Sequence, residues 1–212
     1  MKFNKDMLLL YAITNRCGED KELFLKQIED ALKGGVTILQ LREKNLGREE
    51  FLQEAKEVKK LCSKYSVPLI INDKVDIAIE SGADGVHVGL EDMSVQEIRK
   101  IAPENFIIGA TAKTKEQAKT AEESGADYLG VGAVFPSPTK TNAVRITNEM
   151  LKEICKSVEI PAVAIGGISI DNIDTIEKNV VEGVALVSAI FGADNIYEAS
   201  KEMKIKAKEL AK

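Results

Sequence analysis

Some short apolar runs in the chain end in polar side chains that could bind a charged ligand. The run at 38–41 leads into Arg42 and Lys44, two cations in a chain whose net charge is −5. The next apolar run leads into Asn72 and Asp73. Arginine and lysine bind phosphate groups, and a carboxylate is a hard oxygen ligand for Mg²⁺. The residue types therefore predict a diphosphate site with a metal ion beside it.

A second carboxylate, Asp92, follows a later apolar run and completes a pair with Asp73. Mg²⁺ takes one or two protein carboxylates and fills its shell with water and substrate phosphates. Asp73 alone could instead cap a following helix, because Asp at a strand-to-helix junction often accepts backbone N–H groups. The sequence leaves both roles open for Asp73.

Eight apolar runs, each of strand length, alternate with longer segments of helical periodicity. Several runs are apolar throughout, which is typical of strands buried on both faces of a parallel sheet. Glycine follows the helical segments at 33–35, 80–84, 123–127 and 181–183, where a left-handed residue closes a helix. The predicted strands are 8–14, 36–42, 68–73, 84–89, 106–111, 127–134, 161–167 and 183–188.

This repeated unit predicts an α/β fold, a single (β/α)₈ TIM barrel with short loops that spans residues 1–212. The alternative is a doubly wound open sheet. That fold would need a glycine-rich fingerprint after the first strand, which residues 14–20 lack. In a barrel the C-terminal ends of all strands meet at one rim, so we expect the polar residues to gather there.

The composition excludes several classes of function. A net charge of −5 leaves no overall basic surface for nucleic acid. One histidine and three scattered cysteines exclude a structural zinc site. The apolar run near the N-terminus is too short for a membrane span and does not fit a secretion signal. We therefore expect a cytoplasmic protein without a membrane partner, and leave a homo-oligomer open.

The predicted seventh and eighth strands end in Gly166–Gly167 and Ser188. Loops at these positions of a barrel often bind phosphate through backbone N–H groups, which glycine leaves accessible. A plain turn is the alternative for the two glycines. The single histidine, His87, lies inside a predicted strand, which favours a hydrogen-bonded core residue over a catalyst. The residues thus predict a barrel enzyme with a phosphate pocket and a Mg²⁺-diphosphate pocket, without an evident nucleophile or general base.

The chain resembles the thiamine-phosphate synthase family over essentially its whole length. The motifs that carry the resemblance are QLREK (40–44), IIND (70–73), HVGLED (87–92), GADYLGVGAVFPSPTKT (125–141), AIGGI (164–168) and VALVSAI (184–190). The resemblance implies a transferase of thiamine diphosphate biosynthesis. Its substrates would be 4-amino-2-methyl-5-(diphosphooxymethyl)pyrimidine and 4-methyl-5-(2-phosphooxyethyl)thiazole, and its products thiamine phosphate and diphosphate. The implied mechanism is a Mg²⁺-assisted dissociative substitution through a pyrimidine cation.

The resemblance also implies a role for each matching residue. Arg42, Lys44 and Lys140 would be catalytic, because they would stabilise the departing diphosphate. Mg²⁺ is expected on Asp73 and Asp92. The pyrimidine diphosphate is expected at Gln40, Leu41, Arg42, Glu43, Lys44, Asn72, Thr111 and Lys140. The thiazole phosphate is expected at Ser137, Pro138, Thr139, Gly166, Val187 and Ser188.

Three positions depart from the residues usual in that family. Thr111 stands where serine is usual, and its added methyl group could crowd the pyrimidine. Ser137 stands where threonine is usual and keeps the hydroxyl group. Leu90 replaces a common glutamine beside Asp92, which removes a contact around the metal ligand. The inferred charged groups are all retained.

Three other functions compete with the synthase. A sister thiazole tautomerase would depend on a histidine near position 113, where this chain has Lys113. An aldolase-type barrel would use Lys44 or Lys140 to form a Schiff base, although such lysines are usually desolvated inside the barrel. A non-catalytic barrel could bind thiamine phosphates, but binding alone would not require a Mg²⁺-bridged leaving group.

Overall fold

The computed structural model describes residues 2–16, 18, 20–136 and 145–212. The described residues form parallel strands in which each strand pairs with the next and the eighth pairs with the first. The (β/α)₈ barrel is therefore confirmed. The strands are β1 Leu10–Ile13, β2 Ile38–Leu41, β3 Leu69–Asn72, β4 Gly85–Val88, β5 Ile107–Ala112, β6 Tyr128–Gly132, β7 Ala162–Ile165 and β8 Gly183–Leu186.

Helices follow the strands and cover the outside of the barrel. Their first turns are capped as expected, since the side chains of Asp20 and Ser94 accept N–H groups of α1 and α4. The helices are α1 Lys21–Lys33, α2 Arg48–Lys64, α3 Val75–Ser81, α4 Val95–Ile101, α5 Lys115–Glu123, α6 Asn148–Cys155, α7 Ser188–Phe191 and α8 Ile196–Leu210. Within the described ranges, none of them is long and apolar enough to cross a membrane.

The connection after β7 differs from a regular βα unit, because it contains only a short 3₁₀ helix at Ile173–Thr175. The side chain of Asn172 accepts the N–H group of Ser169 and donates to the carbonyl oxygen of Gly167, each at 2.9 Å. Such side-chain bonds to the backbone compete with a regular helix. The prediction that Gly183 closes a helix is consequently wrong, and Gly183 is the first residue of β8.

Most of the strands are shorter than predicted, at one end or at both. β3 ends at Asn72, and the following Asp73 has a positive φ of 63°. β6 ends at Gly132 instead of residue 134. Arg42, Asp73 and Ser188 consequently lie beyond the ends of their strands.

Side chains alternate between the barrel interior and the layer under the helices, as the period of a strand requires. On β2, Leu39 and Leu41 belong to the large cluster of buried side chains that also includes helix residues, while Ile38 belongs to a smaller interior cluster. The interior cluster consists of Leu8, Tyr11, Ile13, Ile38, Ile70, Ile107, Tyr128, Val163 and Ala185. Two tyrosines thus fill much of the barrel interior.

Gly85 offers a direct test of how tightly neighbouring strands approach each other. A Cβ atom at this position would lie 2.1 Å from the carbonyl oxygen of Ile107 on β5. We expect Gly85→Ala to lower the free energy of unfolding by about 1–3 kcal/mol, because the backbone must shift to relieve the overlap. Urea denaturation would measure the loss.

Gly47→Ala is a suitable control for this substitution. A Cβ atom there would have its nearest contact at 3.7 Å, from Glu50 Oε2. This variant should lose less than about 1 kcal/mol. Equal losses in the two variants would show that the close approach of the strands does not determine the cost.

Candidate active site

A cavity of about 380 Å³ opens at the C-terminal rim of the barrel. It contains side chains from nearly all of the strand ends, both apolar and charged. Ten of the residues predicted for the site line this one cavity, although they are as far apart in the chain as Gln40 and Ser188. The ten are Gln40, Arg42, Lys44, Asn72, Asp73, Asp92, Thr111, Gly166, Val187 and Ser188. Their individual roles in binding stay predictions.

The other predicted residues lie elsewhere. Leu41 is fully buried in the layer between the sheet and the helices. Glu43 is not among the cavity residues, and its carboxylate interacts with Glu54 of α2. Ser137, Pro138, Thr139 and Lys140 lie outside the described residues.

Asp73 and Asp92 face each other at the cavity edge. Burial raises the pKa of Asp73, and the negative charge of Asp92 raises it further. The amide of Asn72 donates to Asp73 Oδ2 at 2.6 Å, and the N–H group of Gly89 donates to Asp92 Oδ2 at 2.7 Å. Two carboxylates that repel each other favour a cation between them. The pair therefore fits a divalent metal ion.

Among the described residues, no group of three or more His, Cys, Asp or Glu side chains could hold a metal ion. A cation on this pair would therefore need oxygen atoms from water or a substrate, as Mg²⁺ commonly does. The helix-cap alternative for Asp73 is not supported. Helix α3 has Lys74 at its N-cap position, and no side-chain hydrogen bond caps it.

The glycine pair after β7 adopts the left-handed backbone conformation. Gly166 and Gly167 have φ values of +101° and +63°, which favour glycine. A Cβ atom on Gly167 would lie 2.1 Å from the carbonyl oxygen of Pro136, in the loop after β6. The N–H group of Phe135 also donates to the carbonyl oxygen of Gly166 at 2.9 Å. These contacts hold the loop after β6 against the end of β7, beside Ser188 at the start of α7.

A third described cation, Lys113, also lines the cavity. The sequence had marked this position only as the place where a tautomerase would carry a histidine. Lys113 directly follows β5, and Gln117 fixes the local backbone by accepting its N–H group at 2.8 Å. β5 ends at Ala112, one residue beyond the predicted end, and Lys113 follows it at the rim.

The cavity floor contains a chain of hydrogen-bonded side chains that the sequence did not reveal. The amide nitrogen of Gln40 donates to the hydroxyl of Tyr11 at 2.7 Å, and this hydroxyl lies 2.7 Å from that of Tyr128. The Tyr128 hydroxyl lies 3.1 Å from His87 Nδ1, and His87 Nε2 lies 3.1 Å from Thr111 Oγ1. The expectation that His87 is a hydrogen-bonded core residue agrees with these contacts, although its ring also borders the cavity.

A buried acidic cluster lies behind the QLREK segment, on the side away from the cavity. Glu54 on α2 is only 3% exposed, and Arg16 Nη1 donates to its Oε2 at 2.7 Å. Burial raises the pKa of Glu54 to about 7, and the charge of Glu43 contributes to the shift, while Arg16 and Lys21 oppose it. Below about pH 7 the Glu54 carboxyl group is protonated and can donate a hydrogen bond to Glu43. This contact turns Glu43 away from Arg42 and Lys44.

The Glu54 cluster predicts a pH dependence of stability. Because the pKa of Glu54 is higher in the folded chain than its ordinary value near 4.5, the folded chain binds more protons between pH 4.5 and 7. Its contribution to stability is full below that interval and is lost as the pH rises towards 7. Glu54→Gln should remove this loss, because the amide mimics the protonated acid. Urea denaturation at several pH values would measure the slope.

Glu57→Gln on the same helix is the matched control. Glu57 pairs with Lys21, and its pKa is lowered by hydrogen bonds from Lys21 and Gln53. This variant should keep the fall in stability between pH 4.5 and 7. If Glu54→Gln also kept the full fall, another group would be responsible for it.

The chain is similar to known proteins over most of its length. A model of the thiamine monophosphate synthase family matches residues 10–190. The thiamine-phosphate synthase of Alkaliphilus oremlandii is 47% identical over 209 residues, which cover 98% of this chain and 100% of the relative. That of Methanobrevibacter smithii is 47% identical over 196 residues, covering 92% and 93% of the two chains.

A solved structure, thiamine phosphate pyrophosphorylase from Pyrococcus furiosus, superposes with a TM-score of 0.90 at 39% identity. The match covers 98% of this chain and 99% of the other. The similarity thus extends over nearly the whole length of both chains. The chain is a transferase, and it belongs to the thiamine monophosphate synthase family.

Proposed function

We propose that the chain condenses 4-amino-2-methyl-5-(diphosphooxymethyl)pyrimidine with 4-methyl-5-(2-phosphooxyethyl)thiazole, giving thiamine phosphate and diphosphate. The observation that carries the proposal is the arrangement around one cavity. Arg42 and Lys44 lie at one part of the rim, the Asp73–Asp92 pair at another, and Gly166 with Ser188 at a third. A substrate with a diphosphate and a partner with a single phosphate would use all three. We expect the reaction to occur in the cytoplasm, as inferred from the sequence.

The diphosphate of the pyrimidine would lie against Arg42 and Lys44. The backbone of Arg42 is fixed, because its N–H group donates to Thr14 Oγ1 at 2.9 Å. The guanidinium group that this backbone carries can donate two parallel hydrogen bonds to phosphate oxygens. Because the leaving group gains negative charge as the bond breaks, fixed cations stabilise the transition state more than the ground state. Lys140 is proposed as a third cation on sequence grounds alone.

Mg²⁺ is the proposed cofactor, with Asp73 and Asp92 as its ligands. When bound, the ion would supply positive charge to the diphosphate oxygens and so make the diphosphate a better leaving group. The chain contributes the orientation of the ligands. The Asn72 amide and the Gly89 N–H group each hold one carboxylate oxygen, and the carboxylates keep their remaining oxygen atoms for the cation.

The thiazole phosphate would bind at the ends of β7 and β8. Gly166 presents backbone to the cavity, and Ser188 offers a hydroxyl group and the N–H group at the start of α7. Val187 borders the same part of the cavity. Ser137, Pro138 and Thr139 are proposed for this site from the sequence motif.

The proposed chemistry requires one bond to form and one to break. The carbon–oxygen bond between the pyrimidine methylene and diphosphate breaks, and the electron pair leaves with the diphosphate. The thiazole nitrogen then donates its lone pair to the methylene carbon. No proton has to be removed from the thiazole nitrogen, so the absence of an assigned general base is no obstacle. Gln40, Asn72 and Thr111 would hold the pyrimidine in an orientation that lets the thiazole nitrogen reach the methylene carbon.

Release of inorganic diphosphate tests the proposal directly. With both substrates and Mg²⁺ present, we expect diphosphate and thiamine phosphate to form in equal amounts. Omitting the thiazole phosphate or adding EDTA should stop the turnover. Tight binding of both substrates without release would instead indicate a thiamine-phosphate-binding protein, and Schiff-base trapping by borohydride would indicate an aldolase-type barrel.

Asp92→Asn tests the metal ligand separately from the fold. The amide is a weaker ligand than a carboxylate, so we expect the Mg²⁺ concentration for half-maximal activity to rise by about tenfold or more. The neighbouring Glu91→Gln removes the same charge from an exposed residue that does not line the cavity. That control should leave the Mg²⁺ dependence within about twofold. An equal shift in both variants would show that the overall negative charge of the rim, and not direct ligation by Asp92, determines the Mg²⁺ dependence.

A further inference from the structure

The hydrogen-bond chain on the cavity floor joins two residues that are far apart on the rim. Gln40 lies on β2 and Thr111 lies on β5, and both are proposed pyrimidine contacts. Between them, Tyr11, Tyr128 and His87 connect the two ends through four contacts of 2.7–3.1 Å. Both tyrosines are almost fully buried, and His87 is 8% exposed.

The barrel makes specific room for this chain. Gly109 on β5 and Gly130 on β6 face the rings of Tyr128 and His87. A Cβ atom on Gly109 would lie 2.1 Å from Tyr128 Cζ and 2.5 Å from His87 Nδ1. Burial raises the pKa of both tyrosines far above neutrality, so each hydroxyl keeps its single proton.

A count of protons gives the chain one direction when each hydroxyl group donates to the next group along it. The amide nitrogen of Gln40 can only donate, which leaves the proton of the Tyr11 hydroxyl available for donation to Tyr128. Donation by Tyr128 to His87 Nδ1 then requires an imidazole that carries its own proton on Nε2. That proton is donated to Thr111 Oγ1.

The two ends of the chain consequently present opposite groups to the cavity. With its amide nitrogen engaged, Gln40 keeps its carbonyl oxygen as an acceptor. With its oxygen already accepting from His87, Thr111 has a hydroxyl proton left to donate. If the oxygen and nitrogen of the Gln40 amide exchanged places, each hydrogen bond in the chain would exchange its donor and its acceptor. Gln40 would then donate to a ligand in the cavity, and Thr111 could only accept from it. The donor or acceptor role of Gln40 therefore determines the role of Thr111.

We propose that Tyr11, Tyr128 and His87 are positioning residues that fix this direction and thereby select a pyrimidine that donates at Gln40 and accepts at Thr111. The proposal rests on the proposed function, because it concerns the pyrimidine of that reaction. A 4-aminopyrimidine donates through its amino group and accepts through its ring nitrogens. A 4-oxopyrimidine accepts through its carbonyl oxygen and carries a proton on one ring nitrogen, so the chain discriminates against it.

Binding selectivity tests the proposal. Calorimetric titration in Mg²⁺ without thiazole phosphate gives the dissociation constants of the 4-amino pyrimidine diphosphate and its 4-oxo analogue. In Tyr128→Phe the ring remains but two links are lost, so the Gln40 amide can turn. We expect the ratio of the two dissociation constants, which favours the amino compound, to fall by about tenfold. About one hydrogen bond contributes a factor of this size. If Tyr128→Phe does not fold, Tyr11→Phe takes its place, because it removes a neighbouring link and should lower the preference in the same way.

Tyr65→Phe is the matched control, because Tyr65 donates to Glu29 far from the cavity. This variant should keep the wild-type preference. A general loss of affinity with an unchanged preference in Tyr128→Phe would overturn the proposal, since a purely structural role has that result. Failure of the wild-type protein to bind either pyrimidine would instead refute the proposed function.

The direction of the chain has a readout that needs no ligand. The sequence contains one histidine, so a ¹⁵N spectrum shows a single imidazole. We expect the proton on Nε2 in the wild-type protein, and a larger share on Nδ1 in Tyr128→Phe. A wild-type imidazole with its proton mainly on Nδ1 would overturn the proposed direction, whatever the substrates prove to be.

Discussion

The pairing of β8 with β1 is the constraint on which the other features depend, because it closes the sheet. In an open sheet, Gln40 and Ser188 would lie near opposite edges. Closure brings both to the same rim, together with Asn72 and Asp73 from β3 and the loop that follows it. Since all strands are parallel, every such residue meets the same cavity, and short loops suffice to build it.

Closure also fixes how much space the interior has, and the residues there are matched in size. Tyr11 and Tyr128 are large, and the glycines on β5 and β6 that face Tyr128 and His87 are the smallest residues available. The polar groups of these tyrosines are satisfied by Gln40 and His87. An apolar floor of similar volume would fill the barrel equally well but would leave Gln40 and Thr111 without a fixed orientation.

Much of the fold and the rim was predictable, because strand length, helical periodicity and terminal polar residues are local properties of the sequence. The chain on the floor was not predictable in this way. Tyr11 and Tyr128 resemble ordinary core residues in the sequence, and only the three-dimensional register shows that their hydroxyl groups meet. Glu54 likewise lies in a helix full of charged residues, and its burial depends on how α2 packs against the loops after β1 and β2. The 3₁₀ turn after β7 depends on the side-chain bonds of Asn172, which periodicity does not capture.

The close packing of Gly109 against Tyr128 has a consequence for how this barrel can change through evolution. A larger residue at 109 is excluded while the tyrosine is present, and a smaller residue at 128 leaves a void and breaks the link to His87. Neither position can drift alone, so the accessible route is a nearly simultaneous exchange of both. Such coupled positions retain their ancestral residues long after the surface helices around them have diverged.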